Sequence, residues 1–506
     1  MKKLYILPIL FGLLFCSCDD YLNVGSETNL TQDQVYATDE GFHKALSGVY
    51  LGMGSANLYG SQLTWRMVEH FAQIYQYKSS GSDAQFYSYN FTHSTVAPTI
   101  ERVWNGLYNL IYRCNDIIEN LEKRKNDVNP INYQMVKGEA LALRAYFHFD
   151  LLRLFGHGDY RNRAAELSSK YTIPYVTNTN KEINKQATYA EVFSYLKKDL
   201  NDATQLLWGK NGENCSLTKL GTEELVAAAG NTTDFYNCTD IDSKPRINYF
   251  AAKAILARVL MWEGTDEGYQ AILDFLEDEW IPAAEEYKAW SWISMDRLTA
   301  NYVDRIMTQE NFWHLHAAGL YDIVGEWFTY RSTDPNNVFM LTPAVYKEIF
   351  EYNTIGIGDG RANFQYTVGT GTSNYEILKL NQYDGEYPFY YKNMIPMIST
   401  SELYYMAAEI NLGTNNEKAL EYLNEVRRHR GLTIDLTGLD EAGIKNEILK
   451  EWKKEYIALG QLFFLYKRWN MEKIGTTTMS DEKYVLPFPE NETLTGNREQ
   501  FITEKE

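Results

Sequence analysis

Cys18 and two runs of aromatic side chains are the parts of this chain whose type and setting could do chemistry. The thiol of Cys18 follows Leu14-Phe15-Cys16-Ser17 and precedes Asp19 and Asp20. Upstream, Lys2 and Lys3 lead into an apolar run from Leu4 to Phe15 broken by Pro8 and Gly12, which is how a secretory signal is built. The run falls short of the ~20 apolar residues that a membrane-spanning helix needs. Leu, Ser and Cys in this order fit the lipobox of bacterial lipoprotein signals. The expectation is therefore that residues 1–17 leave and Cys18 is acylated, with an ordinary cut near Ser17 as the alternative.

The aromatic chemistry is recognition without bond-making. A pyranose has an apolar face of C–H groups and a rim of hydroxyls, so it needs flat rings and a few polar groups that align the rim. Tyr and Trp give large contact area for few rotatable bonds and keep a polar handle. The chain has 39 Tyr and 11 Trp. Two stretches concentrate them outside helical stripes: Trp65 through Phe91, with Tyr75, Tyr77, Phe86, Tyr87 and Tyr89, and Trp290 through Tyr330, with Trp292, Tyr302, Trp313, Tyr321 and Trp327. Trp327 and Tyr330, beside Gly325, Arg331, Asp334 and Asn336, lead the stacking candidates; Trp65, Tyr75, Tyr77, Trp292 and Tyr321 follow. Trp313 lies in an alternation that reads as strand core, and Trp104 and Trp262 sit on helical stripes.

Bond-making motifs do not appear. There is no His-Glu-x-x-His, no Gly-x-Ser-x-Gly elbow, no Gly-x-x-x-x-Gly-Lys and no EF-hand loop, so neither a catalytic residue nor a metal ligand nor a cofactor is assigned. Gly356-Ile-Gly-Asp-Gly360 lacks the following helix of a dinucleotide fingerprint and reads as a turn. A carboxylate pair for glycoside cleavage is set by distance in the fold, which 67 acidic residues do not reveal. Cys114 falls on a helical apolar face; Cys215 and Cys238 lie in a polar stretch where pairing stays open. The net charge of −19, more negative once Lys2 and Lys3 leave, disfavours nucleic acid as a partner.

The elements that must position these rings are mostly helical. Val103, Leu107, Leu110, Cys114, Ile117 and Leu121 draw one apolar stripe. A helix over roughly 134–155 carries two, Ala140-Leu143-Phe147-Leu151-Leu154 and Leu141-Ala145-Phe149-Leu152, so it must be covered on more than one side. Thr188 with Glu191 reads as a capping box ahead of Val192, Leu196, Leu200, Ala203 and Leu207. Ala252, Ile255, Val259 and Trp262 mark a fourth helix. Ser399 with Glu402 reads as the cap of a fifth, which ends at Gly413 and is followed by a partner through Val426 that stops at Gly431. Such pairs, with small residues where neighbours approach, suggest a tetratricopeptide-like scaffold interrupted by insertions at 157–187, 209–247 and 286–398. The last carries an irregular, loop-rich second lobe, and binding usually resides on such loops.

Arg144-Ala-Tyr-Phe-His-Phe-Asp-Leu-Leu-Arg-Leu-Phe-Gly156 closely resembles the signature helix of the SusD/RagB family of Bacteroidetes surface lipoproteins. Other segments fall in that family's order: Cys18 through Val24, Trp104 with Tyr108, Ile111 and Asn115, Ile173-Pro174, Arg246 through Arg258, Pro343 through Phe350 leading to Asp359 and Arg361, Glu402 through Glu409, Leu423 through Arg427, and Leu486 through Pro489. Glu451-Trp452 and Leu459 through Phe464 depart from its pattern around the last long helix.

The resemblance implies a mostly α, SusD-like fold divided into a signal (1–17), a helical region with inserted loops (18–285), a ligand-facing lobe (286–398) and a C-terminal helical region (399–506). It implies a non-enzymatic receptor, lipid-anchored at Cys18 on the extracellular face of the outer membrane. Such a receptor captures an oligosaccharide and hands it to a SusC-like TonB-dependent transporter. A peptide ligand is the alternative, and a surface glycosidase stands behind it. The cluster Tyr383, Tyr387, Phe389, Tyr390 and Tyr391 would then be core or transporter-facing.

Overall fold

The computed structural model describes residues 31–78, 81–212, 246–287, 290, 292–295, 304–328, 338–380 and 393–502. Cys18, Cys215, Cys238, Tyr330 and the cluster from Tyr383 to Tyr391 lie outside these residues.

The longest helices of the first part, among the described residues, are α1 (Asp39–Met53), α2 (Ala97–Lys123), α3 (Pro130–Phe155), α4 (Tyr189–Trp208), α5 (Tyr249–Glu263) and α6 (Asp266–Asp274). α3 is their centre. Asn129 caps it by accepting from the Ile131 amide, Pro130 starts it, and from Gly138 onward every residue through Phe155 is buried. Both expected stripes are therefore covered, by α2 on one side and α4 on the other. Gly138 permits the second contact, since a Cβ there would lie 2.8 Å from Leu207 Cγ. The capping box of Thr188 and Glu191 is present at the start of α4, and Cys114 is fully buried on α2.

The polar residues of the signature helix are buried too, and each has a partner. Arg144 donates from two nitrogens to Asp199 of α4 at 2.8 and 2.7 Å and from a third to Asn115 Oδ1 of α2 at 2.8 Å. Tyr175 donates to the same aspartate at 2.7 Å. His148 accepts from the Val176 amide through Nε2 at 2.9 Å, so its Nδ1 carries the proton and donates to the Arg144 carbonyl at 2.8 Å. Tyr59 donates to Asp150, and Arg153 lies 3.9 Å from the Phe464 ring centroid. One helix thus pins three neighbours by charge as well as by packing.

Burial holds the His148 imidazole neutral, with its pKa pushed down to about 3. A folded pKa below the unfolded value gives stability that is complete above pH 6.5 and is lost as pH falls. From pH 6.5 to 4 the loss from this ring is on the order of 3 kcal/mol. His43 and His157 act in the same sense, each pushed down to about 4 by burial. Glu69 acts in the opposite sense: fully buried and raised to about 8, it adds stability as pH falls from 8 towards 4.5. We expect His148→Gln to flatten the fall in unfolding free energy between pH 6.5 and 4 by roughly that 3 kcal/mol, read from urea melts; an unaltered slope would contradict the assignment.

The second part contains α7 (Leu320–Phe328), α8 (Thr400–Ile410), α9 (Asn416–His429) and α10 (Glu441–Tyr456), with the short helix Leu462–Arg468 after them. Between and beside them lie β1 (Asn311–His316), β2 (Met340–Leu341), β3 (Tyr366–Val368), β4 (Tyr375–Ile377) and β5 (Met394–Ser399). β1 pairs antiparallel with β5, and β2, β4 and β3 form a second sheet in that order. Strands β1 and β5 pack into the scaffold against α5, with Trp313 fully buried, so the segment 286–398 is stitched to the helices at both ends. Gly356 and Gly358 lie in a short 3₁₀ turn (Ile355–Gly358), the expected turn, and only a five-residue helix, Gly360–Phe364, follows it. Gly431, at φ +89°, allows that turn to approach α9: a Cβ there would lie 2.5 Å from the Gly358 carbonyl oxygen.

One expected cap is different. Ser399 starts α8 but accepts nothing from the helix backbone; its hydroxyl meets Ser401 and Tyr456. Glu402 is buried and receives two hydrogen bonds of 2.6 Å from Arg258 of α5. The Ser-x-x-Glu spacing that reads as a capping box here serves a buried ion pair instead, because charge neutralisation outweighs a single cap once Arg258 is taken out of water.

Candidate functional site

The two aromatic stretches, remote from each other in sequence, meet in space. From the first, the chain before the helix Met67–Phe71 delivers Trp65 and the chain beyond it Tyr75 and Tyr77; from the second, α7 delivers Trp327 and Phe328, and Phe339 follows. The inner layer is core. Trp65 is 6.4 Å from Trp327 and 5.4 Å from Phe328, and Tyr75 stacks on Phe339 at 4.8 Å and 4°. Trp65 donates to the Gly60 carbonyl and Tyr75 to the Trp65 carbonyl, which locks both rings.

The outer layer is partly open. Trp327 stacks on Phe339 at 5.2 Å and 22°, and the Arg66 guanidinium lies 4.2 Å from its ring centroid. Arg66 in turn faces Asp83 at 3.5 Å, so the cation is both seated on an aromatic face and balanced. Tyr77 is 51% exposed, which is high for so large an apolar ring, and meets Tyr87 at 4.7 Å. Its chain neighbours Tyr75 and Lys78 both lie on Phe339, the ring on which Trp327 stacks. Gln73, in a left-handed conformation (φ 52°), donates from its side chain to the Tyr87 carbonyl at 2.8 Å and to Thr477 at 2.9 Å, pinning the loop that carries the tyrosine pair. Beneath the patch His70 is buried, donates from Nδ1 to the Arg66 carbonyl at 2.7 Å, and has its pKa lowered by burial, so it adds no charge. The surface thus offers the exposed Tyr77 ring and part of Trp327, with the Arg66 guanidinium on Trp327 and phenol hydroxyls on the tyrosine pair, which is the donor set a hydroxylated ring needs.

The other candidates stand elsewhere. Trp65 (0% exposed) and Tyr75 (4%) are core residues and offer no face to a ligand, a correction to their reading as stacking surfaces. An aromatic-rich irregular stretch has to supply its own core, and these two rings are it. Tyr321 shares α7 with Trp327 but sits six residues earlier, about 120° away around the helix; its amide reaches Asn393. Trp292 is partly buried in a separate groove, stacked on His429 at 4.7 Å and tilted against Tyr404 at 5.3 Å. The sequence reading passed over Arg66 and Phe339. A cation directly after Trp65 inside an aromatic run was the available signal for the first; nothing local distinguishes the second. Among the described residues no group of three His, Cys, Asp or Glu could hold a metal ion, and no helix is long and apolar enough to cross a membrane.

Comparison with known proteins places this geometry. Residues 20–228 match a family model described as "Starch-binding associating with outer membrane", and residues 357–504 match the model of the SusD family. A SusD-like protein of Formosa agariphila is 23% identical over 212 residues, which span 41% of this chain and 39% of that relative. A SusD superfamily protein of Bacteroides thetaiotaomicron superposes with a TM-score of 0.67 at 18% identity, covering 91% of this chain and 98% of the other. Surface glycan-binding protein A of the same organism, solved in complex with laminarihexaose, gives 0.63 at 15% identity, covering 92% and 99%. At these identities the structural likeness establishes the fold.

Proposed function

The chain belongs to the SusD/RagB family, and from that premise we propose that it binds an oligosaccharide at the cell surface without cleaving it. It passes the oligosaccharide to a SusC-like TonB-dependent transporter. In this reading Cys18 is acylated and holds the protein at the extracellular face of the outer membrane.

The observation that carries the reading is the convergence of two remote aromatic stretches, Trp65 and Tyr75 on Phe328 and Phe339, with Trp327 left partly exposed under Arg66 and Tyr77 half exposed two residues beyond Tyr75. A mere core would bury all of them. The laminarihexaose complex of a protein with the same fold supports a glucan-like or other neutral glycan as the ligand class. The strong negative charge of the chain favours a neutral ligand over a polyanionic one.

Titration of the soluble chain with a panel of neutral oligosaccharides tests the site. Tyr77→Ala is expected to weaken binding about tenfold, the loss of one aromatic contact of ~1.5 kcal/mol, with an unchanged melting temperature because the ring is half exposed. Trp327→Ala is expected to weaken it at least as much. Unchanged affinity in both variants would remove the site.

A further inference from the structure

We propose that a second groove, between the C-terminal helix pair and the turn after α6, is a binding site for an amino sugar. The inference rests on the glycan reading above but uses none of its residues.

The groove measures about 520 Å³ and is walled by Trp292, Tyr404 and Tyr422, a size proper to small-molecule sites. α8 and α9 supply the two tyrosines. The opposite wall comes from a π-helical turn, Phe275–Trp280, an irregularity that recurs at functional sites. Glu277, Glu285, Glu421 and Glu425 line the groove against only Lys418 and Arg428. Arg428 is already engaged by Asp435 and Glu425, leaving an excess of carboxylate.

Two observations say what such a space takes. The groove already holds one ammonium: Lys418 Nζ lies 4.8 Å from the Tyr422 ring centroid, 3.2 Å from Glu421 and 3.4 Å from Glu277. An aromatic face flanked by carboxylates is how an alkylammonium is bound in general. Independently, Tyr404 is 92% buried (8% exposed), lines the groove, and carries a hydroxyl with no hydrogen bond among the described residues. Burial and the facing Glu425 and Glu285 raise its pKa, so the phenol keeps its proton and can both donate and accept. Glu285, exposed at the rim, has no ion-pair partner among the described residues. A ligand with an ammonium for Glu285 and a ring hydroxyl for Tyr404 meets both unpaired groups, alongside a Trp292 ring that His429 and the Arg430 guanidinium already hold in place. A hexosamine has that combination; a lysine side chain has the ammonium alone.

The test is titration of the soluble chain, followed by NMR, with glucosamine, N-acetylglucosamine, glucose and Nα-acetyl-lysine amide. Glucosamine is expected to bind at least tenfold more tightly than the two neutral sugars. Tyr404→Phe is expected to weaken it about fivefold without lowering the melting temperature, because the hydroxyl has no internal partner to lose, and Glu285→Gln is expected to weaken it as well. Glucosamine no tighter than glucose overturns the proposal, and so does lysine amide binding equally well and indifferently to Tyr404→Phe. Trp327→Ala separates the two sites: loss of oligosaccharide capture with glucosamine binding retained supports both readings, whereas concurrent loss places the amine at the outer patch and overturns this one.

Discussion

Arg361→Met is expected to lower the unfolding free energy by about 3–5 kcal/mol, the range for removing one member of a fully buried ion network. The guanidinium is wholly inaccessible. It donates to both oxygens of Asp359 at 3.0 and 2.8 Å, to Glu451 at 2.7 Å and to Glu455 at 2.9 Å. Arg430, equally buried, bridges Glu310 at 2.6 Å and Glu455 at 2.7 Å, and Lys454 reaches Glu451 at 2.8 Å. Burial alone would raise the Glu455 pKa; Arg430 and Arg361 overcome it and hold the carboxylate down at about 2. Methionine fills much of the volume but leaves Asp359 and Glu451 short of positive charge in a dry interior. The network ties the turn before Arg361 to α10 and to the entry of β1, segments far apart in sequence. Urea denaturation at pH 7 checks the figure, and a loss below about 1 kcal/mol would mean that the remaining cations suffice.

Arg144→Met is expected to cost a similar amount, about 3–5 kcal/mol, through a different neighbourhood. Asp199 would keep only the Tyr175 hydroxyl, and the side-chain oxygen of Asn115 would lose its donor. Because Arg144 joins α2, α3 and α4, the damage should spread along the scaffold. Amide exchange in all three helices should accelerate together. Exchange confined to α3 would show that packing alone holds the helices in register. The double variant with Arg361→Met should be additive, since the two share no partner.

How much of this was legible beforehand depended on distance along the chain. Local regularities were readable: the stripes of α2 and α3, the Thr188 capping box, the strand alternation around Trp313 and the turn at Gly356 rest on neighbours a few residues apart. The signature from Arg144 to Gly156 was readable as a pattern, although the partners of its charges, such as Asp199, come from other helices. Pairings across long separations were not readable. Glu402 looked like a cap because its partner, Arg258, is 144 residues away. Trp65 and Tyr75 looked like surface rings because an irregular stretch gives no period from which to tell inside from outside. Only the fold shows that Phe339 arrives to cover Tyr75 while Tyr77 is left outside. The groove around Tyr404 was hidden for the same reason, being walled by segments from residue 277 to residue 428.

Incubating the soluble chain with an array of oligosaccharides, and then sizing whatever it retains, tests capture without cleavage most directly. The account expects one class of glycan to be held and recovered at its original length, and to be lost from the Tyr77→Ala and Trp327→Ala variants. Shortened products, or no retained glycan from any class, would contradict it.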